Sequence, residues 1–235
     1  MLDLPTINAS EVPPPDYTSA LGSDAFRRQN PSISSSQSVN YLSINQLVGS
    51  IECTHILDPS LHIPESLLPP LAIGETEWAR KNLSLKGKLG AVEADITLHC
   101  EEPQETTNQS KFSTRVNMEV QTSVGAISVK LRDPPTPSVG KRWPFHLSCS
   151  THIGQINLFI PRSFQGFIDV STTVGHVVLA PDVTKVVRWT DSKIRRRRCF
   201  LGALVNAANK ESIDEVVLNT LVGSVEIAYV DGTVS

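Results

Sequence analysis

The amino-acid sequence predicts an all-β fold: a repeat-built, β-solenoid-like domain preceded by a disordered N-terminal head. Three observations predict it. Six glycines recur within one apolar pattern, β-branched and aliphatic residues dominate the segments around them, and helical periodicity is nearly absent. A β-sandwich of bent strands is the alternative that fits the same pattern. The 21 residues from Gly154 to Gly175, about one coil of a solenoid, favour the first fold.

The repeat consists of apolar columns that keep a constant distance from a glycine. The six glycines are Gly49, Gly90, Gly125, Gly154, Gly175 and Gly223. Apolar residues stand two positions after each glycine and one, five and seven positions before it. In the unit of Gly175 these are Val177, Val174, Val170 and Ile168. Three positions before the glycine, four units carry a threonine: Thr122, Thr151, Thr172 and Thr220.

The glycine changes the phase of the strand. Side chains alternate between the two faces of a strand with a period of two residues. Before the glycine the apolar residues stand at odd distances, and after it they stand at even distances. Both halves face one core only if the backbone bulges or turns at the glycine, which tolerates the dihedral angles this requires. The sequence therefore predicts strand–corner–strand units, with the six glycines as structural corners.

The chain divides into a head and a repeat domain with insertions. Residues 1–38 are rich in Pro, Ser, Asn and Asp, and cannot bury enough apolar surface to order themselves, so a flexible head is expected. The repeat domain is assigned to residues 39–235. Its insertions are proline-rich or polar and are expected on the surface near residues 58–82, 101–111, 132–144 and 181–213.

Three segments resemble an uncharacterised fungal family of unknown function: the run STHIGQINLFIPRSFQGFIDVSTTVGHVVLAPDV, the later RRCFLG, and PPPDY in the head. The glycine-centred units are also similar to the repeats of adhesin-type bacterial proteins. The resemblance covers most of residues 11–235 and implies a β-repeat fold with no assigned activity and no catalytic residues. The four consecutive arginines and the insertion at residues 58–82 are not part of it.

The head carries a candidate partner-binding motif. Pro14, Pro15, Asp16 and Tyr17 match the pattern P-P-x-Y. Prolines favour the polyproline II conformation, which aromatic-lined grooves bind at a low ordering cost, and the tyrosine adds a second anchor. The motif resembles ligands of WW domains, so a WW-domain protein is a candidate partner. The alternative interpretation is an ordinary proline-rich tether.

One dense basic run is a candidate phosphate-binding patch. It comprises Lys193, Arg195, Arg196, Arg197 and Arg198. Such a run can contact phosphates or direct a protein to the nucleus. Alternating aromatic residues, which single-strand binders use for stacking, do not accompany it, and charged runs are usually solvated loops. Nucleic-acid binding is therefore not expected.

The sequence predicts no catalytic, cofactor or metal site. It lacks the common nucleophile, zinc-protease and phosphate-loop motifs. The six histidines lack metal-ligand spacing, although His152 and His176 are expected on neighbouring units. The acidic pair Asp214–Glu215 lies in a polar stretch and suggests a solubilising role.

Charge and cysteine usage predict a cytoplasmic protein without a membrane span. The net charge is −3, and no apolar run approaches the roughly 20 residues that a spanning helix needs. The start of the chain does not resemble a signal peptide. Four cysteines occur singly, which is typical of reduced thiols: Cys53, Cys100, Cys149 and Cys199.

These observations favour a non-enzymatic interaction or scaffold protein that WW-domain partners recruit through PPPDY. Repeat domains offer long, regular faces for such contacts. The first alternative is an extracellular carbohydrate-binding or carbohydrate-processing β-helix protein, which requires paired carboxylates or exposed aromatic residues in a groove. The second is an adhesin-like surface protein, and it rests on the resemblance alone.

Overall fold

The computed structural model describes residues 34–71, 74, 76–77, 80–99, 115–134, 142–202 and 213–231. The PPPDY motif and the insertion at residues 101–111 lie outside these ranges. Within them the chain forms fifteen β-strands, one short α-helix and one 3-10 helix, so the predicted all-β class is confirmed. No helix in the described part of the chain is long and apolar enough to cross a membrane.

The elements follow in this order along the chain: β1 (Ser34–Val39), β2 (Leu42–Val48), β3 (Ile51–Leu57), the 3-10 helix (Glu65–Leu67), β4 (Leu83–Leu89), β5 (Val92–Leu98), β6 (Val116–Val124), β7 (Ile127–Arg132), β8 (Phe145–Ile153), β9 (Ile156–Ile160), β10 (Gly166–Val174), β11 (Val177–Leu179), α1 (Pro181–Val186), β12 (Val187–Lys193), β13 (Arg196–Leu201), β14 (Asp214–Val222) and β15 (Val225–Tyr229).

The strands form two sheets that enclose one core. The seven-stranded sheet has the order β1-β3-β5-β7-β9-β15-β11, and the eight-stranded sheet has the order β12-β13-β10-β14-β8-β6-β4-β2. The pairings in the seven-stranded sheet are parallel. In the eight-stranded sheet only the pairings of β13 with β10 and β12 are antiparallel. Each repeat unit places its first strand in the eight-stranded sheet and its second strand in the seven-stranded sheet.

Each of the six repeat glycines lies between the two strands of its unit and stacks on the next. Their φ angles range from +105° to +156°, a region that favours glycine. A Cβ on Gly154 would meet the carbonyl oxygen of Gly125 far inside the 3.0 Å that real Cβ atoms keep. Gly223 approaches the carbonyl of Gly154 in the same way, and Gly175 that of Gly223. No side chain fits at these stacked corners.

The threonine column supports the glycine column. Thr122 donates a hydrogen bond through Oγ1 to the carbonyl oxygen of Gly90 at 3.0 Å, and Thr220 donates one to Gly154 at 3.1 Å. Thr151 and Thr172 make the equivalent bonds to neighbouring corners at 3.3 and 3.1 Å. All four threonines are buried. Each hydroxyl therefore ties a corner carbonyl of one unit to the buried threonine of its neighbour.

The core confirms three of the four apolar columns. Three columns are buried in the second, third, fourth and sixth units: the residue two after the glycine and the residues five and seven before it. In the fourth unit these are Ile156, Cys149 and Leu147. The column immediately before the glycine was predicted to be buried and is exposed. Burial alternates along β6 as far as Thr122 and then stops, leaving Val124 exposed. The chain begins to turn here, so this residue lies on the outside of the corner.

The units do not stack in sequence order. Strand β14 pairs with β8 on one side and β10 on the other, and β15 lies between β9 and β11. The sixth unit is thus inserted between the fourth and the fifth. A solenoid of consecutive coils would place it at the end, whereas two packed sheets of bent strands, the alternative prediction, fit this arrangement. The segment 181–213 makes the return possible, since it contains α1 and the β12–β13 hairpin.

A buried carboxylate holds the inserted unit in place. Asp214 begins β14 and is only 3% exposed, which contradicts the solubilising role expected for Asp214–Glu215. Its carboxylate accepts hydrogen bonds from Arg142 at 2.8 Å and from the backbone N–H groups of Phe145 and Gln165. Phe145 opens β8 and Gln165 precedes β10, so one side chain fixes the inserted strand against both neighbours.

The glycine stack predicts very different costs for one substitution at two of its positions. Gly154→Ala forces a Cβ against backbone and should lower the free energy of unfolding by more than about 4 kcal/mol. Gly49→Ala is the matched control, because its Cβ would meet only the movable end of the Gln46 side chain. That variant should lose about 1–2 kcal/mol through backbone strain. Urea unfolding followed by circular dichroism measures both; equal losses would contradict the close stacking.

Candidate functional site

Exposed aliphatic side chains line the edge at which the two sheets meet. We call this set the aliphatic ridge: Leu47, Val48, Leu89, Val124, Ile153, Leu221, Val222, Val174 and Ile194. Those immediately before the glycines are 42–72% exposed, and Ile194 is 102% exposed. Fourteen large apolar side chains are exposed in the described ranges, and nine of them lie on this ridge. Such a concentration makes this edge the candidate contact surface.

The strand register makes the ridge continuous. Val48 is the partner of Leu89, and Leu89 is the partner of Val124. Ile153 pairs with both Val124 and Val222 on its two sides. Val174, paired with Val222, completes the line. Six neighbouring strands at about 4.8 Å give a row roughly 24 Å long.

The β12–β13 hairpin extends the ridge beyond β10. Its turn consists of Ile194 and Arg195, and the backbone N–H of Thr172 donates to the carbonyl oxygen of Arg195 at 3.1 Å. Arg196 is the register partner of Ser171, three residues before Val174. The tip of the hairpin therefore adjoins the end of β10 that carries the ridge, and Ile194 projects fully into solvent.

The predicted basic run forms this hairpin, and its cations have different environments. Arg196 makes a two-point ion pair with Asp169, with Nε at 2.8 Å from Oδ1, and this hydrogen bond raises the pKa of Arg196. The Arg198 guanidinium stacks over Phe167, 4.6 Å from the ring centre. Lys193 and Arg195 are exposed, and no described carboxylate lies within ion-pair distance of either. Arg197, the register partner of Val170, is half-buried. Of the five cations, Arg196 and Arg198 thus stabilise the hairpin, and Lys193 and Arg195 are available to a ligand.

An open depression lies between the hairpin tip and β10. Its volume is about 790 Å³, and it is lined by Ser171, Lys193, Ile194, Arg195 and Arg196. The Ser171 hydroxyl, the Lys193 ammonium group and the Arg195 guanidinium are hydrogen-bond donors that suit an anionic group. On the outer face beside it, the aromatic rings of Phe167 and Phe200 lie 5.0 Å apart.

Sequence reasoning missed the ridge because it assigned the column before each glycine to the core. Two units carried a signal that could have revealed the ridge. Leu47 and Val48 are adjacent, and so are Leu221 and Val222. A strand with a period of two buries only one residue of such a pair. The conflict at these positions indicated that at least one apolar side chain points outward at the corner.

The predicted histidine neighbours are not neighbours. His152 belongs to the fourth unit and His176 to the fifth, and the inserted sixth unit separates them. No group of three or more His, Cys, Asp or Glu side chains able to hold a metal ion occurs among the described residues. Cys53, Cys149 and Cys199 carry free, buried thiols. Burial raises the pKa of Cys53 and of Cys199 to about 11, which disfavours the nucleophilic thiolate.

Several outer carboxylates are paired with basic residues rather than with one another. Asp95 accepts two hydrogen bonds from Arg132, and Glu119 lies 3.0 Å from Lys86. Glu215 is 3.1 Å from Arg115. These pairs bridge neighbouring or nearby strands, and they are the contacts expected of a stabilised surface rather than of an acid–base pair.

Comparison with protein families finds one match. Residues 40–232 match the family described as "Domain of unknown function (DUF7330)". The chain belongs to the DUF7330 family. The expectation of an uncharacterised family is thereby confirmed, and the DUF7330 match includes all six corners and every residue of the ridge. No curated protein and no solved structure matches the chain.

The ridge predicts a contrast between two isoleucines of one DUF7330 repeat unit. Ile153 lies on the ridge and is half exposed, so Ile153→Ala should change the free energy of unfolding by less than about 1 kcal/mol. Ile156, three residues later, is fully buried, and Ile156→Ala should cost about 2–5 kcal/mol through lost burial and a cavity. Urea unfolding of both variants measures the contrast. A large loss for Ile153→Ala would show that its side chain belongs to the core.

Proposed function

We propose that this DUF7330 protein is a non-enzymatic interaction protein and that the aliphatic ridge is its contact surface. The observation that carries the proposal is the alignment of six exposed aliphatic side chains, one immediately before each corner glycine, with Leu47, Leu221 and Ile194 exposed beside them. Exposed apolar residues are normally scattered singly over a protein surface, and folding does not require them to form a row. Their repetition in all six units places the contact groups at regular intervals.

The ridge offers enough apolar area to support a weak, reversible association. If each of the nine side chains loses about 50 Å² of accessible surface on contact, about 450 Å² is buried. At about 25 cal/mol per Å² this corresponds to ~11 kcal/mol before the entropic costs of association are subtracted. A surface of this size supports reversible binding without an additional pocket.

The corners keep the ridge rigid before contact. The glycine stack fixes the backbone beside each ridge residue, and the threonine hydroxyls bond the corner carbonyls of adjacent units. Valine and isoleucine side chains have few rotamers to lose. Little conformational entropy is therefore lost on binding, which favours affinity for a given buried area.

The other functional interpretations have different support. Recruitment of a WW-domain protein through Pro14, Pro15, Asp16 and Tyr17 stays a prediction from the sequence, as do the cytoplasmic location and the lack of enzymatic activity. The carbohydrate alternative needs paired carboxylates or exposed aromatic residues in a groove. The carboxylates of Asp95 and Asp169 pair with basic residues instead, and Trp189 is an exposed aromatic residue on β12. The adhesin alternative rests on the resemblance of the repeats alone.

Photo-crosslinking in the cell of origin tests the proposal. The full chain carries benzoylphenylalanine at Ile153 on the ridge, 54% exposed, or at Leu67 on the 3-10 helix, an aliphatic position that is even more exposed at 72%. Adducts should form several-fold more often at position 153, since that side chain lies in the contact surface. They should disappear when the flanking Val124 and Val222 are changed to serine.

Equal adduct yields at the two positions, or yields unaffected by the flanking serines, would overturn the proposal. The mass of the adduct identifies the class of partner: a second copy of the chain, another protein or a lipid. The control position matters because any exposed aliphatic side chain forms some adducts by random collision.

A further inference from the structure

We infer that the partner of the aliphatic ridge is the surface of an anionic lipid bilayer, contacted with the β12–β13 hairpin foremost. This inference rests on the proposed function of the ridge. Its central observation is the hairpin tip, where the fully exposed Ile194 lies between Lys193 and Arg195. An aliphatic side chain flanked by cations is the combination that enters the boundary between lipid headgroups and acyl chains.

The composition of the ridge fits lipid better than protein. All nine side chains are Leu, Val or Ile, without an aromatic ring or a hydrogen-bonding group. Contact residues that dominate protein–protein affinity are enriched in Trp, Tyr and Arg, whereas Leu and Val are under-represented. Acyl chains make no directional bonds, so the aliphatic column before the glycines suits them, while exposed polar neighbours such as Lys88, His152 and Thr173 lie beside it.

The shape of the ridge also fits a deformable partner. The ridge follows the outer edge where the two sheets meet, on the outside of the glycine corners. Two such convex edges from separate copies touch along a line, and a stable dimer generally needs about 800 Å² from each partner. A bilayer interface surrounds a convex edge, so the whole row of side chains is buried at once.

The cations at the hairpin meet the anionic headgroups. Asp169 neutralises Arg196, Phe167 covers the guanidinium of Arg198, and Arg197 is half-buried, which leaves Lys193 and Arg195 to contact phosphate. Both line the depression that also contains the Ser171 hydroxyl, beside Ile194. A headgroup phosphate in this depression would receive charge-assisted hydrogen bonds while Ile194 inserts between the acyl chains.

Vesicle flotation of the purified full chain tests the inference. The probes are vesicles of phosphatidylcholine alone and vesicles containing about 30% phosphatidylserine. The protein should float with the anionic vesicles only, and the bound fraction should fall as salt rises from about 50 to 500 mM, because exposed charges are then screened.

Charge-reversed and apolar variants test the two parts of the surface separately. Lys193→Glu with Arg195→Glu should lower the partition coefficient at least tenfold. Arg162→Glu with Lys185→Glu has the same net charge, changes exposed cations away from the ridge, and should bind like the parent. Ile194→Ser with Val174→Ser should lower partitioning several-fold, whereas Leu67→Ser should not.

Three results would overturn the inference: absence of binding to anionic vesicles, equal loss in the hairpin variant and its charge-matched control, or a stable dimer in sedimentation that the ridge serines dissociate. Binding of single-stranded RNA in place of vesicles, with the same sensitivity at Lys193 and Arg195, would overturn it as well. Protein adducts at Ile153 without vesicle binding would refute only the lipid partner, whereas equal adducts at Ile153 and Leu67 would refute the ridge itself.

Discussion

Close contact between stacked glycine corners is the constraint on which this structure depends. Each corner carbonyl occupies the space where a Cβ of the next corner would lie, so strands of adjacent units approach to full ladder distance on both sides of the turn. The threonine hydroxyls then bond those same carbonyls. Because the corners are aligned, the strands on both sides of them pair in the same register. The apolar columns then form a single core.

The exposed ridge is a consequence of the same corners. The turn directs Cys149 and Ile156 into the core. Ile153, which immediately precedes the corner glycine, is therefore left on the outside. Stacking the corners stacks these outward residues as well. The domain therefore carries a continuous aliphatic row outside the core, and the hairpin adds cations at one end.

Much of the fold could be predicted from the sequence, because the alternation of buried and exposed residues along a strand depends only on nearby residues. The columns at Leu147, Cys149 and Ile156 follow from a period of two on each side of a glycine. The ridge could not be predicted in this way, because the alternation ends at the turn, whereas the prediction continued it to the residue before the glycine. The place of the sixth unit could not either, since it depends on Arg142 and Asp214, 72 residues apart in the chain. The basic hairpin, assigned to a loop, is paired because β10 offers it an edge.

Disulfide trapping tests the stacking order most directly. Ser150 on β8 and Asn219 on β14 are register partners, and Ser171 on β10 is the next partner beyond Asn219. Cysteines at positions 150 and 219 should form a disulfide under mild oxidation, because paired strands lie about 4.8 Å apart. Cysteines at positions 150 and 171 should not, since a strand lies between them. Rapid trapping of the second pair and none of the first would contradict the inserted sixth unit and the glycine stack that positions it.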